Sequence, residues 1–156
     1  MEWPPEREET EGESLEWSPA YPLFGTKHHL EVKGKSGVYR IRAFTDEGDP
    51  LPICRLGGVD PLGILHIGKS GNLGSRIRSF RQAAQGLKAA HHAGREFYEW
   101  RFERLVPRER LRFDYFETST GREALSLERA LHQEYRNKFL DRPPLDGTSG
   151  QTGGKK

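Results

Sequence analysis

The sequence predicts an α/β domain of the α+β type, a small, mostly antiparallel sheet of three to five strands flanked by helices. Three observations carry that prediction. Residues 37–44 (GVYRIRAF) alternate, with Tyr39, Ile41 and Ala43 on one face and Arg40 and Arg42 on the other, as a half-buried strand does. Residues 62–80 (LGILHIGKSGNLGSRIRSF) pass from an apolar, β-branched run through a Gly-bounded turn into a basic helix. Thr120-Gly121-Arg122-Glu123 matches a capping box and opens a long amphipathic stretch.

The chain of 156 residues has room for one domain plus tails, and its 33% hydrophobic content allows only a small core. Mean hydropathy is −0.83, no run is long enough to cross a bilayer, and the Glu-rich start is unlike a signal peptide. The single cysteine, Cys54, excludes an internal disulfide and fits a reducing, cytoplasmic setting as a small, partly buried loop residue. A net charge of +2 conceals a division. Residues 1–17 hold seven Glu against Arg7, a net of −6, so the rest of the chain carries +8. A basic domain favours a polyanionic partner.

Residues 1–14 are acidic and aperiodic, a disordered arm. Residues 15–36 begin with Trp17, Tyr21, Leu23 and Phe24 crowded between prolines, a strap packed on the domain because that much aromatic surface is costly in water. The domain proper spans residues 37–146. After its first strand, residues 45–61 are rich in Gly, Pro and Asp and loop out before the chain returns as an antiparallel neighbour, on which Tyr39 and His66 share a face.

In that second strand, alternation sets Ile64, His66 and Gly68 against Leu65 and Ile67. Asn72 is a good N-cap, and Leu73, Ile77, Phe80, Ala84 and Leu87 form the core stripe of the helix that follows, bordered by Arg76. Gly63 to Ser70 also satisfies GxxxxGK[ST] letter for letter, but its four variable residues belong to the strand itself, and Gly71 and Asn72 interrupt the helix a P-loop requires. The adjacent His91 and His92 point about 100 degrees apart in a helix, with no third ligand at metal spacing, and read as an exposed helix end finished by Gly94.

Residues 97–105 and 111–117 read as a hairpin, with Trp100, Phe102, Phe113 and Tyr115 as core and a base-stacking platform as the lesser reading. In the last helix Ala124, Leu127, Leu131, Tyr135 and Phe139 form the inward stripe, and Glu128 lies in or beside it. An inward carboxylate demands an Arg, a Lys or a metal. Pro143 and Pro144 end the helical region, and residues 147–156 form a Gly- and Lys-rich mobile tail.

These elements carry, in order, Gly37-Val38-Tyr39, His66-Ile67-Gly68, Gly68-Lys69-Ser70-Gly71-Asn72-Leu73 followed by Arg76, Leu125-Ser126-Leu127-Glu128, and Pro144-Leu145-Asp146. The ordered set resembles the GIY-YIG nuclease superfamily over residues 37–146. It departs from the pattern in a longer interval between Tyr39 and His66, in His66 for the usual Tyr, and in Asp146 for the Asn of a Pro-x-Asn. The resemblance implies a divalent-metal-dependent endonuclease acting on DNA, with RNA not excluded. Glu128 would hold Mg²⁺ (or Mn²⁺), Arg76 would grip the phosphate, and Lys69, Asn72 and Arg78 would line the substrate. Tyr39 is nominated as base; His66, with an ordinary pKa near 6.5, takes that role or hydrogen-bonds Tyr39. Asp146 is a second metal ligand or a group that repels phosphate, and His132, one turn after Glu128, an outer-shell partner or a surface residue. Two other functions stand beside this one: a nucleic-acid-binding module whose chemistry His66 and Asp146 disable, and nucleotide binding at residues 63–70.

Overall fold

The computed structural model describes residues 15–147, so the expected arm over 1–14 and all but the first residue of the expected tail lie outside the described residues. In chain order the elements are β1 (Tyr21–Pro22), β2 (Gly37–Ala43), β3 (Ile53–Arg55), β4 (Gly58–Asp60), β5 (Ile64–Ser70), α1 (Leu73–Ala84), α2 (His92–Glu99), β6 (Leu111–Glu117) and α3 (Gly121–Phe139). The architecture is α+β: a four-stranded antiparallel sheet in the order β1-β6-β2-β5, with β3 and β4 as a separate hairpin.

The sheet is covered on both faces. Tyr39, Ile41, Leu65 and Phe113 face a core shared with Leu73, Ile77, Phe80 and Phe97 of the first two helices, while Val38, Ile64 and Ile67 face Leu131, Tyr135 and Phe139 of α3. Arg40 and Arg42, on the α3 face, both bind the buried Asp114. Arg40 Nε and Nη2 lie 2.8 and 2.6 Å from its two oxygens, Arg42 Nη1 lies 2.9 Å from Oδ2, and the Trp17 ring stacks 3.8 Å from the Arg40 guanidinium. Trp17 and Leu23 thus pack on the domain, and β1 extends the sheet.

Several expectations need correction. The register of β2 on β5 shifts between Ile41 and Arg42, leaving Leu65 without a partner there. That bulge turns Leu65 and His66 toward the same face and Ile64 and Ile67 toward the other, where strict alternation would have separated them. The connection over residues 45–61 is not featureless, since it contains β3 and β4, and Cys54 is an exposed strand residue instead of a partly buried loop one. Helix α1 stops at Ala84, so Leu87 is exposed.

The predicted hairpin does not form. β2 and β1 occupy the two edges of β6, which leaves no edge for residues 97–105, and these instead continue α2 and a short 3₁₀ turn. Trp100, expected in the core, is 64% exposed. The expected caps are present: Asn72 Oδ1 accepts from Ser75 N (3.3 Å) and Thr120 Oγ1 from Glu123 N (3.2 Å). Ile64–Ser70 is a paired strand, so the P-loop letters contain no phosphate-cradling loop.

Candidate active site

The outer edge of β5 determines where the candidate residues meet. An edge strand needs partners for its free N–H and C=O groups. Here the segment after α3 supplies them: Leu145 N donates to Leu65 O (2.9 Å), and Ile67 N donates to Asp146 Oδ2 (2.9 Å). His132 of α3 donates from Nε2 to the carbonyl of Ile67 (3.0 Å). Satisfying the strand edge therefore brings Asp146, 80 residues from His66 in sequence, under the ring of His66, where its Oδ1 accepts from His66 Nδ1.

Tyr39 crosses β5 at its ladder partner Gly68, where an added Cβ would stand 2.6 Å from the phenol carbon and oxygen and 2.7 Å from His66 Nε2. Only hydrogen at that position lets the ring pass. The Tyr39 hydroxyl lies 3.0 Å from His66 Nε2 and 2.7 Å from His91 Nε2. His91, expected at an exposed helix end, is 1% exposed and caps α2, its Nδ1 accepting from Gly94 N at 3.2 Å. Paired histidines were not helical neighbours at all: His91 precedes the helix, in extended backbone, and His92 begins it. No periodicity distinguishes a capping His from an exposed one, so only its position before Ala93-Gly94 hinted at the role.

Arg76 reaches the same cluster. Its Nη1 donates to the carbonyl of Ala90 (2.7 Å), which holds the segment that delivers His91. Glu128 comes from the helix on the other face, and its charge is felt by His132, His66, Lys69 and Asp146, so the cluster lies where the two faces meet at the β5 edge. Tyr39 feels both Arg76 and Glu128. The structure thus gathers Tyr39, His66, Lys69, Arg76, Glu128, His132 and Asp146, and adds His91.

Two other expected substrate contacts are placed differently. Asn72 spends its side-chain oxygen on the α1 cap and on Gly34 N (2.9 Å). Arg78 is two residues from Arg76 on a helix, hence far around it, and interacts with Arg81 and His29. Asp146 holds His66 and Ile67 N with its two oxygens.

The electrostatics follow burial. Loss of water raises the pKa of Tyr39 above its ordinary value, against the pull of Arg76, so the phenol keeps its proton. Burial above all, with the nearby Arg76 cation adding to it, pushes His91 down to about 2. Burial also raises Glu128, outweighing His132, His66 and Lys69. Among the described residues Glu128 makes no hydrogen bond or ion pair, and no group of three or more His, Cys, Asp or Glu is arranged to hold a metal. A lone half-buried carboxylate suits a hard cation that keeps most of its waters, and cation binding would restore the charged form that burial disfavours.

Set against protein-family models, curated proteins and solved structures, this chain matches none of them. No helix among the described residues is long and apolar enough to cross a membrane.

Proposed function

We propose that this protein is a phosphodiester hydrolase acting on nucleic acid, a divalent-metal-dependent endonuclease of the GIY-YIG kind, with DNA as substrate. One observation carries the reading: a phenol, an imidazole, a guanidinium, an exposed ammonium and an unpaired carboxylate, from Tyr39, His66, Arg76, Lys69 and Glu128, converge at one sheet edge. Their order along the chain matches the motifs that resemble that superfamily.

Phosphodiester hydrolysis needs charge neutralisation on the phosphoryl oxygens and an activated water. Arg76 presents a planar fork to the phosphate, and Lys69 adds a cation at the rim. A phosphate is a stronger acceptor than the Ala90 carbonyl that Arg76 now holds, so substrate binding would exchange that contact and loosen the segment covering Tyr39. Tyr39, paired with His66, is the group placed to take the water's proton. Glu128 would hold a Mg²⁺ or Mn²⁺ ion, which supplies Lewis-acid stabilisation of the phosphoryl charge when bound.

Cleavage of supercoiled, linear and branched DNA in Mg²⁺ tests this. Wild-type protein is expected to cut at least one of them, and Glu128→Gln to lose about a hundredfold or more of the rate with DNA binding kept. Salt-sensitive binding without turnover on every substrate would overturn the enzyme reading in favour of a binding module.

A further inference from the structure

Two of the three departures from the family motifs, His66 and Asp146, stand in direct contact. The hydrogen bonds around them have a direction that elementary chemistry settles, starting from groups with no choice. A backbone N–H can only donate, so Gly94 N–H makes His91 Nδ1 an acceptor with a free lone pair. A neutral imidazole with that lone pair carries its proton on Nε2, and at 2.7 Å His91 Nε2–H donates to the Tyr39 oxygen. The phenol hydrogen must then go to its other neighbour, His66 Nε2 at 3.0 Å. His66 accepts at Nε2, so it carries its proton on Nδ1 and donates to Asp146.

The far end agrees independently. Asp146 accepts from Ile67 N–H as well, which suits an ionised carboxylate, an acceptor at both oxygens. Five groups therefore point one way: Gly94 N–H to His91, His91 to Tyr39, Tyr39 to His66, His66 to Asp146. Every member but the backbone group at its start is a residue no more than 8% exposed, which keeps water from supplying a competing partner in the resting protein.

We infer that Asp146, His66 and Tyr39 form a single proton relay, with His91 as the donor that steadies the phenol oxygen, and that His66 and Asp146 are working partners and not two separate defects. This rests on the reading of Tyr39 as the proton acceptor in hydrolysis. The Tyr39 O–H bond breaks as an N–H bond forms at His66 Nε2. The phenolate left behind is held by His91 Nε2–H and by Arg76, and the imidazolium by Asp146. The phenolate then takes a proton from the attacking water, and His66 returns its own proton to the leaving oxygen through solvent. Tyr39 is the group that meets water once substrate displaces the segment covering it; His66, Asp146 and His91 act through it as positioning residues.

The relay makes Asp146→Asn informative because the substitution changes donors, not size. The Asn oxygen must stay on Ile67 N–H, so its NH₂ faces His66 Nδ1 and forces the ring to protonate Nε2. Two N–H groups then converge on the Tyr39 oxygen, and the phenol hydrogen loses its acceptor. His91→Asn is the complementary change: its oxygen can replace Nδ1 as the cap of α2, but nothing reaches Tyr39.

The test combines ¹⁵N NMR of the imidazoles, assigned with His66→Gln and His91→Asn, with Mg²⁺-dependent cleavage. The expected result is Nδ1–H for His66 and Nε2–H for His91 in wild type, a switched His66 tautomer in Asp146→Asn, and a loss of about 10²–10⁴ in cleavage rate measured at a temperature where the variant, though lower melting, is still fully folded. His66 protonated at Nε2, or charged at both nitrogens in the resting protein, would overturn the relay, as would Asp146→Asn cleaving like wild type. Absence of any wild-type cleavage, with the tautomers as stated, would instead remove the hydrolase reading and leave the directed chain in place.

Discussion

Acid should destabilise this protein through one histidine. His91 is buried and pushed down to about 2 from an ordinary 6.5, chiefly by loss of water. Its pKa in the folded state is depressed, so below 6.5 the unfolded chain binds a proton that the folded chain refuses. His91's contribution is therefore fully present above about pH 6.5 and declines as pH falls toward 2. Each unit costs about 1.4 kcal/mol, so between pH 7 and pH 5 the loss is about 2 kcal/mol. For a domain of this size that corresponds to roughly 4–10 °C in melting temperature. Urea denaturation of wild type and His91→Asn at pH 7, 6 and 5 isolates the effect, because Asn keeps the cap and cannot titrate. The variant starts less stable at pH 7, having lost the bond to Tyr39, and its curve should then fall less steeply. Parallel curves for the two proteins would show that His91 accepts a proton while folded and that the directed chain is misassigned.

Two further substitutions probe the frame of the site. Gly68→Ala would push a Cβ to within 2.6 Å of the Tyr39 ring, and the fully buried ring has nowhere to move, so a loss of about 1–3 kcal/mol and of cleavage is expected; a variant that melts like wild type would contradict the crossing described here. Asp60, 1% exposed, accepts from Leu62 N (2.9 Å), Ile64 N (3.0 Å) and the Tyr135 hydroxyl (3.0 Å), joining the start of β5 to α3. Asp60→Ala strands these donors and should cost about 3–5 kcal/mol in urea denaturation; a cost below about 1 kcal/mol would mean that other groups or water replace the carboxylate.

Local patterns were enough wherever one segment carried all the information. Alternation gave β2, the turn chemistry and N-cap at Asn72 located α1, and Thr120 with Glu123 located α3, because caps and periodicity depend on residues within a turn or two of each other. The antiparallel pairing of β2 with β5, and the face that Tyr39 shares with His66, followed from two strands and a loop.

What alternation could not foresee was competition for shared partners. Residues 97–105 have a passable strand pattern, yet both edges of β6 go to β2 and β1, and a capping His91 makes a helix the better use of the segment. The bulge at Leu65 reverses which faces Ile64 and Leu65 serve, and no single-strand pattern announces a register shift. Asp146 joins His66 because the β5 edge needs hydrogen-bond partners from the chain that passes it. Residue types in the primary structure thus supplied the chemical inventory, an imidazole here and a carboxylate there. Which of them share a proton depended on long-range backbone pairing, since a hydrogen bond acts over about 3 Å and sequence separation places no limit on which groups come that close.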